Sequence, residues 1–353
     1  MGRYLLFICS GLVIILGLVK ISTQNRQIEL VKRSATAADR AQARNMANEA
    51  IDMTIQKLDN DPSWRNGYQP WSVTLDYGTA SVQIIDNTSD KSLKSNQLKL
   101  ISTSVLNKNT ATVQTLVQRE GGLPTITSAM SFYSNNINFN ANGASFQING
   151  NDTNPDGSKG SGSAVPGVTV PGEDGYNAIN NTLKKNQQND IIGAGGNTPN
   201  ISTDSSLDPA KLNKIISKIA QNADKTYYGG HYSGLDLGSE SNPQITVING
   251  DMKLTGSTEG YGILIIQNSN LMNFAGNFHF NGLVVMMGGT YQSNGNIHLN
   301  GSLLLGTSSS QTSYGATIKG NVNINYSSQA LQLIQQKLSN KLNMHYVKVS
   351  TYE

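Results

Sequence analysis

Between Gln244 and Tyr326 apolar and polar residues alternate at period two, in short bursts separated by Gly, Asn and Ser. That period predicts strands, and no 3.6-residue stripe competes with it there. Two bursts are introduced by nearly the same heptapeptide, GNFHFNG at 276–282 and GNIHLNG at 295–301. Gly262, Gly282, Gly301 and Gly320 follow one another at steps of 20, 19 and 19 residues. A nearly fixed step of this size predicts a repeat architecture with one coil per period. Laid over one another, the coils give two apolar columns, Ile245, Leu264, Val284, Leu303, Val322 and Val247, Ile266, Met286, Leu305, Ile324. These are the expected inward columns of a parallel β-solenoid. The column between them, Thr246, Ile265, Val285, Leu304, Asn323, faces outward yet is apolar in its middle coils, so a cover is expected. Two amphipathic segments could supply it, at least one of them being expected to pack there, with an intermolecular partner as the alternative. One is 208–223, with Asp208 as N-cap, Pro209 at the first helical position and Leu212, Ile215, Ile216 and Ile219 on one face. The other is 328–342, with Leu331, Ile334, Leu338 and Leu342 on one face.

Earlier in the chain the pattern changes three times. Residues 4–19 carry no charge, slightly fewer than the roughly 20 of a usual transmembrane span. No A-x-A-like cleavage site follows, so an uncleaved membrane anchor is expected over a signal peptide. Residues 21–58 contain neither Gly nor Pro and continue the anchor as one long helix. Ala47, Ala50, Ile51, Thr54 and Leu58 form its packing stripe, and Asn60-Asp61-Pro62-Ser63 ends it. From Trp71 to Gln118 period two returns, in VTLDY, ASVQIID, LKLISTSV and TATVQTLVQ, separated by turn residues. This predicts an antiparallel meander of four strands. Beyond it NINFNANGASFQING reads as an opening coil of the solenoid, and GSKGSGSAVPGVTVPG as a flexible stretch. The fold class expected is therefore α+β followed by all-β. Its parts are an anchor at 1–20, a long helix on a meander at 21–122, and a solenoid at 123–353. The solenoid carries an insertion at about 172–240 over one face and a C-terminal capping helix.

Composition narrows the function classes. The net charge is +3, only 14% of residues are charged, and Lys and Arg are scattered, which excludes a nucleic-acid footprint. Cys9 is the single cysteine, so neither a disulfide framework nor a Cys-based zinc site is available.

Two constellations are candidates for metal chemistry. Asp152-x-Asn154-x-Asp156-Gly157 matches the first half of a calcium loop, in which alternate oxygens converge on one cation and Gly allows the turn. Position 12 is Ser163 in place of the bidentate Glu, with Glu173 or Asp174 as later donors. The competing reading is a loop of Asx turns. Stacking also predicts an outward column Glu259, His279, His298, Thr317, where two imidazoles and a carboxylate could hold a transition metal, against the commoner ladder with no ligand. For catalysis the coils offer only Asp251, Lys253, Glu259 and Lys319, widely spaced, where lyases and hydrolases need paired groups. A non-enzymatic protein is expected.

The apolar start, the helix ARNMANEAIDMTIQKL at 43–58, the following DPSW at 61–64 and the strand pairs resemble PilX-type minor pilins. The solenoid is similar to C-terminal domains attached to such pilin-like anchors. The resemblance implies a minor subunit or assembly factor of a type IV pilus-like or related secretion filament. It would be anchored in the cytoplasmic membrane, with the solenoid outside it and other pilins or pilus assembly proteins as partners. One motif departs from the family: where type IV pilins carry a Glu shortly after the processing-site Gly, Gly2 here is followed by RYLLF, and the first acidic residue is Glu29. The alternative is a membrane-anchored solenoid adhesin that binds surface glycans without a filament.

Overall fold

The computed structural model describes residues 2–61, 64–65, 70–94, 96–141, 145–307 and 314–352, with helix side chains from Ile8 onward except Ser10. The chain forms two units. Met1–Glu120 joins His345–Glu353 in the first, and Gly121–Met344 is the second. The first boundary lies between Glu120 and Gly121, and residues 345–353 belong to the first unit rather than to the solenoid.

In the first unit, α1 (Gly2–Asn60) is one helix of 59 residues. Its C-terminal part lies on a sheet of β1 (Trp71–Leu75), β2 (Gly78–Ile85), β3 (Gln97–Leu106) and β4 (Asn109–Glu120). These four are antiparallel neighbours in sequence order, as the alternation predicts. A fifth strand, His345–Tyr352, pairs antiparallel with β4, so in chain order the whole solenoid is inserted between the last two strands of this sheet. The packing stripe is the expected one: Ala47, Ala50, Ile51 and Leu58 are buried against Val82, Leu100, Val113 and Val117. Buried Thr54 returns its hydroxyl to the Ala50 carbonyl at 2.7 Å, so no polar group is stranded. The returning strand is tied to the helix by the Tyr346 N–H on Asp59 (2.6 Å) and by Lys348 to Asp52 (2.6 Å). At the β2–β3 connection the Lys99 ammonium, with Ser92, holds the Asp90 carboxyl down at about 2.

The second unit is a three-sided parallel solenoid. Each coil has a polar side such as 296–300, a bend at a glycine, a side such as 302–306 and a third such as 289–293. Gly262, Gly282 and Gly301 stack at the bend with φ of 138°, 137° and 150°. A Cβ on Gly301 would lie 1.8 Å from the Gly282 carbonyl oxygen, and one on Gly282 2.1 Å from that of Gly262. The repeated heptapeptides therefore mark the strand that approaches the bend, and their last glycine is the bend itself.

Register corrects several predicted columns. Leu264, Val284 and Leu303 do align, as do Ile266, Met286 and Leu305, all inward. One coil earlier the step is 18 residues, so Thr246 and Ile248 pair with Leu264 and Ile266, while Ile245 and Val247 point outward. At the other end Val322 and Ile324 pair with Ile297 and Leu299, on a different side from Leu303. The cause is the connection from Gly306 to Tyr314, six residues longer than that from Met287 to Gly289, which lengthens this coil to 25 residues. Gly320 is consequently stacked on Gly295, not Gly301.

The stacking order also differs from chain order. Residues 225–326 make five successive coils, the first of them the strand Lys225–Tyr232 on Gln244–Leu254. The opening coil at 130–149 then stacks on the last of these, through Ile137–Ala141 on Tyr314–Ile318 and Ser145–Asn149 on Asn321–Tyr326. Val168–Val170 and Ile201–Thr203 extend the stack beyond it. The expected insertion at 172–240 is thus mostly solenoid, because α2 (Glu173–Asn180) buries Ile179 in the interior and 191–192 and 225–232 are coil strands. Only α3 (Pro209–Ala220) lies over a side, and α4 (Ser328–Lys337) joins it there. Leu212, Ile216, Ile219, Leu331, Ile334, Leu338 and Leu342 cover the outward Ile263, Ile265, Leu283, Val285 and Leu304. The predicted cover is intramolecular and uses both segments. Asp208 caps α3 by accepting the Ala210 N–H at 2.8 Å.

Candidate functional site: a free apolar helix half and a polar solenoid side

In α1 the sequence separates two jobs along one rod. From Ala43 on, one stripe of small and apolar residues, Ala43, Met46, Ala47, Ala50, Ile51 and Leu58, is buried. Before it, every residue from Lys20 to Ala38 is exposed. Further down, Ile8, Leu12, Val13, Ile14, Ile15, Leu16, Leu18, Val19 and Ile21 are each 56–68% exposed. These nine aliphatic side chains touch too little protein to be satisfied by it. Of the predicted anchor at 4–19, the side chains of 4–7 and Ser10 lie outside the described ones. Among the described residues no helix is long and apolar enough to cross a membrane.

On the solenoid, the polar side brings Glu259, His279 and His298 into one outward column, as predicted, but its next members are Asn323 and Gln147. Thr317 is on another side, paired with Gln292. The two imidazoles are tilted at 60° with centroids 6.2 Å apart. Each turns to an asparagine: His298 Nδ1 lies 3.4 Å from Asn323 Nδ2, and His279 Nε2 3.4 Å from Asn300 Nδ2. Among the described residues no three His, Cys, Asp or Glu are grouped to hold a metal ion. Beside this column runs an asparagine ladder that the sequence reading missed: Asn300 donates to Asn281 at 3.0 Å and Asn325 to Asn300 at 3.2 Å. The Asn closing each heptapeptide, just before its glycine, was the available signal.

Asp152, Asn154 and Asp156 fall in one loop but do not point at one centre. Asp152 is buried, and its two carboxylate oxygens accept the Ser328 N–H (2.8 Å) at the start of α4 and the Gly162 N–H (2.6 Å). Asn154 donates its amide to Ser158 Oγ (2.9 Å) and the Lys159 carbonyl (3.2 Å). Asp156 accepts the Ser158 hydroxyl and N–H at 2.7 and 2.9 Å, which hold its carboxyl below the ordinary range. Glu173 and Asp174 sit in the first turn of α2. The loop is thus satisfied by its own chain, with Asp152 joining it to α4. Of the widely spaced charged residues, Asp251 accepts the Leu271 N–H at 3.0 Å and also that of Asn270. Burial acts to raise its carboxyl, but these N–H groups outweigh it and the net shift is downward. It is a turn residue of the stack.

No protein-family model matches the chain, and no curated protein matches it. Among solved structures the chain is similar to the competence-associated pilin ComZ from Thermus thermophilus, at 12% identity, with 89% of this chain and 97% of that chain covered and a TM-score of 0.29. A TM-score that low carries no argument about fold or role.

Proposed function

We propose that the chain is a non-enzymatic, pilus-related subunit, held in a membrane by the start of α1 and able to pass into a filament whose helices cover it, with the solenoid displayed outside. One observation carries this reading: nine large aliphatic side chains are more than half exposed on the free part of a helix whose other part is firmly packed. Removing what remains of their surface from water is worth roughly 1 kcal/mol each, on the order of 10 kcal/mol together. That is comparable to the whole stability of a domain, about 5–15 kcal/mol. Lipid, or the same region of neighbouring subunits, supplies such a cover. The full chain should remain with membranes through carbonate extraction, and sheared surface filaments should contain it by electron microscopy with a specific label. Release by carbonate together with absence from the sheared fraction contradicts the reading.

A second reading is favoured by the polar side of the solenoid. Its outward columns hold Asn277, Asn296 and Asn321, and His279, His298, Asn323 and Gln147, with Glu259 as the one charged member. A flat array of amides and imidazoles repeating at about 4.8 Å suits the hydroxyls of a neutral glycan. In this reading the protein is an anchored adhesin without a filament.

A further inference from the structure

The exposed middle of α1 has two faces that the fold does not use. Ile21, Ile28 and Ala35, with Val31 and Ala38, lie on one. On the opposite face Arg26, Arg33 and Arg40 recur at a step of seven residues, about 10 Å along the axis, with Lys32 beside them. Beyond Arg26 runs an open trough lined by Lys32, Arg33, Arg40 and Arg44 with Glu29 and Thr36 among them, and floored by Ala37 and Ala41. The local anions do not neutralise it. Glu29 pairs with Arg33 at 2.5 Å, an exposed i,i+4 contact of the exchangeable kind, and Asp39 accepts Asn107 Nδ2 at 3.2 Å. Arg26, Lys32 and Arg40 have no ion-pair partner among the described residues.

We propose that this arginine face docks an acidic helix of a different protein. A second copy of the chain would bring like charge against like charge at every step. An anionic bilayer fits poorly for a reason of distance, taking from the preceding reading only that Val19 marks the membrane boundary. Arg26, Arg33 and Arg40 then stand about 10, 21 and 31 Å beyond it, while screening confines a surface potential to about 8–10 Å. Only Arg26 is within reach. A rod lying along α1, with carboxylates at the same seven-residue step and a ridge entering the small-residue trough, meets all three arginines at once.

The test uses the full chain in non-ionic detergent micelles and a fluorescent alanine-based helical peptide with glutamates at every seventh position on one face. A peptide of the same composition in scrambled order is the comparison. The patterned peptide should bind about tenfold or more tighter than the scrambled one, and Arg26→Gln/Arg33→Gln/Arg40→Gln should lose that preference. Circular dichroism should show unchanged helix, since all three side chains are exposed. Equal binding of the two peptides overturns the proposal, as does an unchanged preference in the triple variant. Displacement of the peptide by phosphatidylglycerol vesicles would assign the face to lipid, and self-association lost in the variant would assign it to a second copy; either result also overturns it. Carbonate extraction of the triple variant stays as for the wild type, so failure here is distinguishable from failure of the anchor.

Discussion

Leu303→Asp abolishes the cooperative unfolding of the solenoid unit, whereas His298→Asp, five residues earlier on the same strand, leaves it within about 0.5 kcal/mol of wild type. Leu303 is buried between Val284 and Met130 and faces the interior. A carboxylate there has no partner; leaving a charge unpaired in an interior costs about 3–5 kcal/mol, on top of about 2–3 kcal/mol of lost burial. Together these approach or exceed the usual stability of a domain. His298 has the opposite parity and is exposed. Thermal melting followed by circular dichroism, with limited proteolysis, measures both variants. The reverse order, with His298→Asp the more damaging of the two, would mean that the strand is turned the other way.

Gly301→Ala is the second large effect, and its comparison is Gly157→Ala. Both glycines have positive φ, 150° and 82°, so both substitutions carry backbone strain of about 1–2 kcal/mol. At Gly157 a Cβ meets nothing within 4 Å. At Gly301 it meets the Gly282 carbonyl oxygen at 1.8 Å, and only separation of two stacked coils relieves the clash. A further 3 kcal/mol or so is expected, the scale of strain plus overpacking. Chemical denaturation of the two variants gives the difference directly. Similar destabilisation of both would contradict the close approach of the backbones at the bend.

How much of this was legible follows from what each pattern encodes. Period two and the glycine step reveal that coils exist, because each coil buries its own alternate residues. They do not reveal register across a connection of unequal length, which is why Ile245 and Val322 were misplaced by one residue and by one side. Nor does a local pattern say which coil stacks on which. The segment 130–149 carries the same alternation as the others, and only its fit against Tyr314–Ile318 and Asn321–Tyr326 places it after the last coil. The return of His345–Tyr352 to β4 is non-local in the same sense. Helix caps and faces were readable, as Asp208 and the stripes of α3 and α4 demonstrate, because those signals lie within one turn. The DxNxDG loop was readable as chemistry but not as geometry. Asp152 spends its oxygens on Ser328 and Gly162, and Ser328 lies 176 residues away in the chain. The arginine step at 26, 33 and 40 was visible in the sequence, but its significance depends on the exposure of that face.

The central claim is that the apolar start of α1 is covered in the native setting, and the chain carries its own reporter. Cys9, the single cysteine, is exposed on that part of the helix. Label intact cells or native membranes with a membrane-impermeant maleimide, then repeat after solubilisation in detergent and denaturant. Lipid or neighbouring helices around the thiol would exclude the reagent, so the account predicts no labelling before solubilisation and full labelling after it. Rapid, complete labelling in the native state would place Cys9 in water and contradict the account.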